Sequence, residues 1–303
     1  MQTIKTKNLT WVEIKNPTEE DIEWLKKKFN LHPLVLKDLL PPLDYPKIEN
    51  FGDYLYIVLF YPFFNRKTFQ MIPFELDIIV SKNYIITSHY KDIVPLKAIF
   101  DKFNLYEDIK KEYAKEGTGG LLYRIIREIL SACFPKLGHI KQDIDDVEKA
   151  IYRKEYKKTT TKISLVERDI IGFQRIIESQ KLVLRNLVKE SNDFFPKKLT
   201  PYFRNLLNIY EQINSILTTN RKTLEALNST NQSFLTNRTN EIIKILTIFS
   251  VIVFPLTLLA AVFGMNTNYL PFVGSQNDFW IIIGIMILAT IGMLSFFKFK
   301  KWV

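Results

Sequence analysis

The stretch FPLTLLAAVFGMNTNYLPF, residues 254–272, decides how the rest of the chain is read. An apolar run, long enough with the residues before it to cross a bilayer, stops at Gly-Met-Asn with no Lys, Arg, Asp or Glu to anchor it. An uncharged loop start follows, and a second apolar run begins at Phe279. Residues 242–263 contain one charge, Lys244, and residues 279–297 contain none. Each run is about the 20 residues needed to cross ~30 Å of hydrocarbon. A buried soluble hairpin is the competing reading, and the flanking charge decides against it. Arg238 and Lys244 flank the start of the first run, and Lys298, Lys300 and Lys301 form a basic tail after the second. Residues 267–278 have no Lys or Arg. The positive-inside rule therefore places both termini in the cytoplasm and the short loop outside.

The bulk composition hides this split. Of the 303 residues 24% are charged, as in an ordinary soluble protein, yet residues 1–240 carry nearly all of that charge. The balance of 42 basic against 32 acidic residues gives +10. Such a chain suits nucleic acid or an anionic membrane surface. With two spans present, the bilayer is the expected partner and nucleic acid is not. Cys133 stands alone, which excludes a disulfide framework and a cysteine-rich zinc site. The start MQTIKTKNLTW lacks the apolar core of a secretory signal and the Arg/Ser bias of a transit peptide. A prokaryotic inner-membrane, multi-pass protein is the expectation.

Residues 1–120 read as an α/β domain. In TEEDIEWLKKKF, residues 18–29, Thr18 is an N-cap candidate followed by acids in the first turn. LYIVLFYPFF (55–64), FELDIIV (74–80) and NYIITS (83–88) are rich in β-branched and aromatic residues, and read as strands. The ten-residue run 55–64 is too short to span a bilayer. KEGTGG, residues 115–120, reads as a linker, because no strand leads into it and no Lys-Ser/Thr follows as a phosphate loop needs. Residues 121–240 are helical: apolar spacings of three and four over 121–152, a second helix over roughly 160–190, a break at Pro196, and a restart at Thr200-Pro201. The expected order continues with a first membrane helix over 241–264, an outer loop over 265–278, a second membrane helix over 279–297 and the tail 298–303.

From Thr200 no strong breaker appears before Pro255. Phe203, Tyr210, Leu217 and Leu224 repeat every seven residues, as do Leu206, Ile213, Leu227 and Phe234, with Asn220 interrupting that row. This is the spacing of helices packed along their length, inside one chain or between subunits. A helix continuing to Phe263 would hold about 63 residues and measure roughly 95 Å. In its membrane part, Asn240, Thr247, Ser250, Thr257, Gly264 and Asn266 lie near one face, interleaved with Ile243, Leu246, Phe254 and Ala261. Polar groups in hydrocarbon need a partner helix or water. Helix packing through Ser and Thr meets that need, and so does a pore of wetted stations between apolar constrictions. Two helices per chain cannot enclose a pore, so the second reading requires an oligomer. Pro255 removes a donor and frees the carbonyl near Val251.

RTNEIIKILTIFSVIVFPLTLLAAVFGMN (238–266), a short loop, a second span and the ending FKFKKWV (297–303) closely resemble the CorA-type magnesium channels. LHPLVLKDLL (31–40), PKIENFGDYLYIVL (46–59) and PYFRN (201–205) resemble that family's cytosolic segments, so the likeness spans nearly the whole chain. The resemblance implies an α+β cytosolic domain with helical layers around a small sheet. It also implies a very long stalk helix running into the membrane, two membrane helices per chain, and a homopentameric channel. Gly264, Met265 and Asn266 would form the entrance, and the first span would line the pore. Mg2+ gives up its water reluctantly, so a ring of neutral carbonyls can hold its hydration shell instead of stripping it. That explains a span ending in an uncharged tripeptide. Two departures stand out. Asn268 and Phe272 occupy places where many members carry acids, leaving Asp278 as the loop's one charge. The family's intersubunit Mg2+ sensor would pair Asp38 with Asn205, where an acid is usual, so a weakened or relocated sensor is expected.

Other chemistry finds little support. His32, His89 and His139 are scattered without metal-ligand spacing, and Cys133 reads as packed rather than reactive. KQDIDDVEKAIYRKEYKK (141–158) reads as a solvated charged helix and turn. No nucleophile elbow, P-loop or His-Glu-x-x-His occurs, so an enzyme is not expected, nor a prosthetic group. The expected function is a passive divalent-cation channel carrying Mg2+, with Co2+ or Ni2+ as further cargo and Mg2+ also the regulatory ion. The alternatives are a related Zn2+ transporter, with or without proton coupling, against which Met265 counts because that branch commonly has Ile there, and a non-conducting membrane-anchored sensor or scaffold.

Overall fold

The computed structural model describes residues 1–7, 9–65, 68, 70–265 and 277–302. They divide into two compact units, Met1–Asn228 and Ser229–Val303.

In the first unit the described residues form a six-stranded sheet in the order β1-β2-β6-β5-β4-β3. The strands are β1 Gln2–Lys5, β2 Thr10–Lys15, β3 Lys47–Asn50, β4 Tyr54–Asn65, β5 Gln70–Ser81 and β6 Tyr84–His89. β2 pairs with β6 in parallel, and every other neighbouring pair is antiparallel. The three strands expected from β-branched runs are therefore present as β4, β5 and β6, and the first two form the anticipated hairpin, in register from Tyr54↔Ser81 to Asn65↔Gln70. Alternation along the strands sorts the two faces. Trp11 on one face packs against Phe100 and Phe103 of α3 (Val94–Leu105), with ring centroids 4.9 and 5.6 Å away, and its indole donates to Thr87 Oγ1 at 3.0 Å. Val12, Tyr56, Val58 and Phe60 on the other join Leu25 of α1 (Glu19–Lys28) and Val35 and Leu36 of α2 (Pro33–Asp38) in one buried cluster.

Local chemistry fixes the helix starts. Thr18 caps α1 in a full capping box with Asp21, as its sequence suggested. His32 caps α2, its Nδ1 accepting from the Leu34 N–H at 3.2 Å, so this histidine has a structural task. His89 is buried, with Nδ1 2.8 Å from Lys91 O and Nε2 3.3 Å from Glu13. Cys133 is also buried, and burial pushes its thiol up to about 12, which leaves it inert.

The helical part differs from expectation at three places. KEGTGG is a corner between α4 (Glu107–Lys115) and α5 (Gly117–Ser131) rather than a loose linker. Gly117 takes φ +69°, and a Cβ on Gly119 would stand 2.7 Å from Leu199 Cδ1 and 2.8 Å from Phe195 Cδ1. The apolar run over 121–152 is divided at Ala132 between α5 and α6 (Cys133–Tyr152). The helix expected over 160–190 is two, α7 (Tyr156–Ser179) and α8 (Lys181–Phe194). At their junction the Gln180 amide turns into the sheet, donating to Phe60 O at 2.8 Å and accepting from Phe60 N–H at 3.1 Å.

The long helix is present as α9, Thr200–Phe263, and continues through Pro255. Phe203, Leu206, Tyr210, Ile213, Leu217 and Leu224 are buried within the first unit, so the heptad rows over this part are intramolecular packing. Phe195 stacks on Phe203 at 5.5 Å. In the second unit lie the end of α9 and α10 (Asp278–Phe299). Both helices are long and apolar enough to cross a membrane, with mean hydropathies of 2.6 and 2.4 over their most apolar 18 residues.

Candidate ion pathway and regulatory residues

The expected pore-lining residues all sit on the last part of α9, where each residue advances about 100° around the axis. Asn240, Ile243, Leu246, Thr247, Ser250, Phe254, Thr257 and Ala261 then fall within roughly 120° of arc. The stripe that the chain itself covers lies elsewhere. Lys244, Ile248, Ile252, Leu256, Leu259 and Phe263 are half-buried at spacings of three and four, about 170° around from the candidate face. On the candidate face Ile243, Leu246 and Phe254 are exposed by 55, 62 and 72%, and Thr257 is exposed as well. Thr247 and Ser250 are half-buried.

The two threonine hydroxyls on this face are committed in one direction. Thr247 Oγ1 donates to Ile243 O at 2.8 Å and Thr257 Oγ1 donates to Val253 O at 2.9 Å. Each proton is held by the helix backbone four residues earlier, which leaves the oxygen lone pairs as acceptors. Ions that keep their hydration shell present water hydrogens outward, and acceptors are what such a shell can bind.

At the helix end, Gly264 N–H still donates to Ala260 O at 2.9 Å and Met265 N–H to Val262 O at 3.3 Å. A Cβ on Gly264 would lie 3.1 Å from Ala260 O, so even a methyl group would crowd this turn. Met265 is 57% exposed. Asn266, with Asn268 and Phe272, lies outside the described residues. In the tail, Lys244 Nζ reaches Lys301 O at 3.4 Å, and Trp302 folds back to stack on Phe297 at 5.8 Å. Lys298, Lys300 and Lys301 thus gather at the end of α10, at the same end of the unit as Lys244.

Asp38 and Asn205 are each already engaged within the first unit. Lys47 Nζ lies 2.5 Å from Asp38 Oδ2 and 3.2 Å from Glu49 Oε1. Burial alone would lower the Lys47 pKa, but hydrogen bonds to Asp38 and Glu49 outweigh it and hold the ammonium above its ordinary value. Asn205 Oδ1 accepts from the Tyr123 hydroxyl at 3.1 Å. The structure thus does not join Asp38 to Asn205 within one chain. Sequence reading missed Lys47 and Tyr123, although Lys47 and Glu49 share a strand face by their i, i+2 spacing.

Behind Asp38, β5 carries a second group that sequence reading missed. Asp77 is buried and accepts from the Tyr56 hydroxyl at 2.8 Å, and Glu75, two residues earlier on the same strand face, is buried with it. Burial pushes Asp77 well above the usual carboxylate range, with Glu75 adding to it. Burial, reinforced by Asp44 and Asp38, pushes Glu75 up to about 7. No cluster of three or more His, Cys, Asp or Glu side chains among the described residues is arranged to hold a metal ion directly.

Comparison with known proteins matches residues 6–301 to the family model described as CorA-like Mg2+ transporter protein. A cobalt/magnesium transport protein CorA from Thermotoga maritima is 27% identical over 294 residues, covering 97% of this chain and 83% of that one. The complete structure of the CorA magnesium transporter from Methanocaldococcus jannaschii superposes with a TM-score of 0.86 at 21% identity, covering 100% of this chain and 95% of the other. The ZntB cytoplasmic domain from Vibrio parahaemolyticus reaches 0.59 at 12% identity, covering 77% and 90%.

Proposed function

The chain belongs to the CorA-like Mg2+ transporter family, and from that premise we propose that it assembles as a homopentameric channel for Mg2+ uptake, with Co2+ or Ni2+ as further cargo. The observation that carries the reading is the α9 face bearing Thr247, Ser250 and Thr257. It lies opposite the half-buried stripe, its Ile243, Leu246, Phe254 and Thr257 are exposed, and its threonine hydroxyls are set as acceptors. An apolar helix with an uncovered polar face needs copies of itself or water there. Five copies arranged around an axis supply both.

In this reading Gly264, Met265 and Asn266 form the outer entrance, where five neutral amide oxygens hold the hydrated ion. A hard cation that dehydrates reluctantly is selected by its shell, and neutral ligands release it readily. The ion then passes Thr257, Ser250, Thr247 and Asn240, separated by the constrictions Ala261, Phe254, Leu246 and Ile243. The charge pattern supports an inner-membrane protein with both termini cytoplasmic, the basic groups Lys244, Lys298, Lys300 and Lys301 lying on the inner side. Cytosolic Mg2+ bridging Asp38 and Asn205 of adjacent subunits closes the channel, with an affinity reduced because Lys47 already occupies Asp38.

The test is Mg2+ flux into liposomes containing the purified protein. Asn266→Ala should lower flux at least tenfold, and hexaamminecobalt, which cannot shed its ligands, should block the wild type. A mutant that conducts as well as its parent removes the entrance assignment, and a monomer in lipid removes the channel.

A further inference from the structure

On the first unit, a 390 Å3 basin is lined by Lys5, Thr6 and Lys7 from the end of β1 and the turn after it, and by Glu107, Lys110, Lys111 and Lys115 of α4. Five lysines from segments about a hundred residues apart face one acid. That acid is already used, since Lys110 Nζ lies 2.6 Å from Glu107 Oε1. The nearby acids that form ion pairs outside the basin point elsewhere: Glu112 of α4 and Glu116, the residue before α5, engage Arg124 of α5 at 3.0 and 3.8 Å. Of the α4 residues, Glu112 is engaged by α5, while Glu107 and the three lysines Lys110, Lys111 and Lys115 line the basin with β1. Lys111 and Lys115 are also a like-charged i, i+4 pair, an arrangement that costs a helix stability.

A second basin on this unit shows what an ordinary charged surface looks like in this protein. There Lys15 pairs with Asp92 at 2.5 Å, and Glu13, Lys97 and Asp101 share the lining, so positive and negative groups are interspersed. The lysine basin has no such balance. Thr6 holds its turn in place, its hydroxyl donating to Leu9 O at 3.0 Å and accepting from Leu9 N–H at 3.1 Å. A concave surface of one sign focuses its field and concentrates counter-ions. Lysines act as adaptable point charges toward phosphate oxygens.

We propose that this basin is a binding site for a soluble, multiply charged phosphate compound of the diphosphate or triphosphate class. Two or more adjacent phosphoryl groups bring enough negative charge to neutralise the four lysines that Glu107 does not serve, and the volume lies within the range of small-molecule sites. The inference stands apart from ion conduction, because it concerns only the first unit and is read by binding.

The probe is inorganic pyrophosphate, titrated calorimetrically into the full-length protein in detergent, in Mg2+-free buffer containing EDTA. Lys7→Gln with Lys111→Gln should weaken binding roughly 25-fold, about fivefold for each lysine removed. The Lys5→Gln, Lys115→Gln pair should do the same, with circular dichroism confirming that either variant is folded. Lys162→Gln with Lys189→Gln, which removes the same charge outside the basin, should leave the affinity within twofold. Equal weakening by that control pair means a diffuse charge effect and overturns the site. Absence of pyrophosphate binding overturns it as well, and association through these lysines with phosphatidic-acid vesicles alone would reassign the basin to a lipid headgroup.

Discussion

If cytosolic Mg2+ closes the channel through Asp38, it must first displace an internal competitor, and replacing Lys47 should expose how strongly that competitor is held. The Lys47–Asp38 pair is 2.5 Å long, with side chains 13 and 25% exposed. It is more sheltered than a surface pair, which is worth about 0.2–1 kcal/mol, yet not enclosed enough for the 3–5 kcal/mol lost on breaking a buried one. Taking about 1 kcal/mol, Mg2+ meets a roughly fivefold affinity penalty at Asp38. Lys47→Gln should therefore lower the Mg2+ concentration for half-inhibition about fivefold. Lys47→Arg, which keeps the charge, should change it by less than twofold. The assay is Mg2+ flux into proteoliposomes as a function of Mg2+ on the cytoplasmic side. The decisive comparison is a double-mutant cycle: in an Asp38→Ala background, Lys47→Gln should have no effect on inhibition. Unchanged inhibition in Lys47→Gln, or the same shift with Asp38 absent, would refute the reasoning.

The buried carboxyls of β5 predict a pH dependence. Glu75 titrates near 7 when folded against 4.5 as its ordinary value, so the stability tied to its proton is complete below about 4.5 and is lost as pH rises through about 7. Thermal melts at pH 5 and pH 8 should show a lower melting temperature at pH 8, and Glu75→Gln, which mimics the protonated form, should shrink the difference. Asp38, Asp44, Asp77, Lys91 and Arg175 surround the group, so the melts belong at fixed ionic strength. Gln180→Ala should destabilise the first unit by about 2–3 kcal/mol, because it leaves the buried Phe60 N–H and C=O without their partner; a denaturant midpoint that does not move would show that water replaces the amide. On the last part of α9, Thr247→Val together with Thr257→Val replaces each hydroxyl by a methyl and removes two acceptors per chain, and should cut Mg2+ flux several-fold while leaving the oligomer intact by size-exclusion chromatography.

Much of the candidate pathway was legible in the sequence because a membrane helix is a local object. Its length, its flanking lysines and the 100° advance per residue place Thr247, Ser250 and Thr257 on one face before any neighbour is known. The strands β4, β5 and β6 were readable for a similar reason, each being a dense run of β-branched and aromatic residues. The corner at Gly117–Gly120 and the break at Gln180 were not. Both depend on what lies across from them: Phe195 and Leu199 in one case, the Phe60 backbone in the other.

By itself the sequence determined the two candidate membrane spans, the single long helix from Thr200 to Phe263 and the polar stripe on it, because hydrophobic length and helical period are properties of neighbours along the chain. Only the tertiary structure decided that the first heptads of α9 are spent inside the protomer. It alone showed that Asp38 is held by Lys47 and Asn205 by Tyr123, and that Glu75 and Asp77 lie buried side by side on β5. Those outcomes rest on residues brought together from distant parts of the chain, where burial and charge pairing act through space and leave no periodic trace in the order of amino acids.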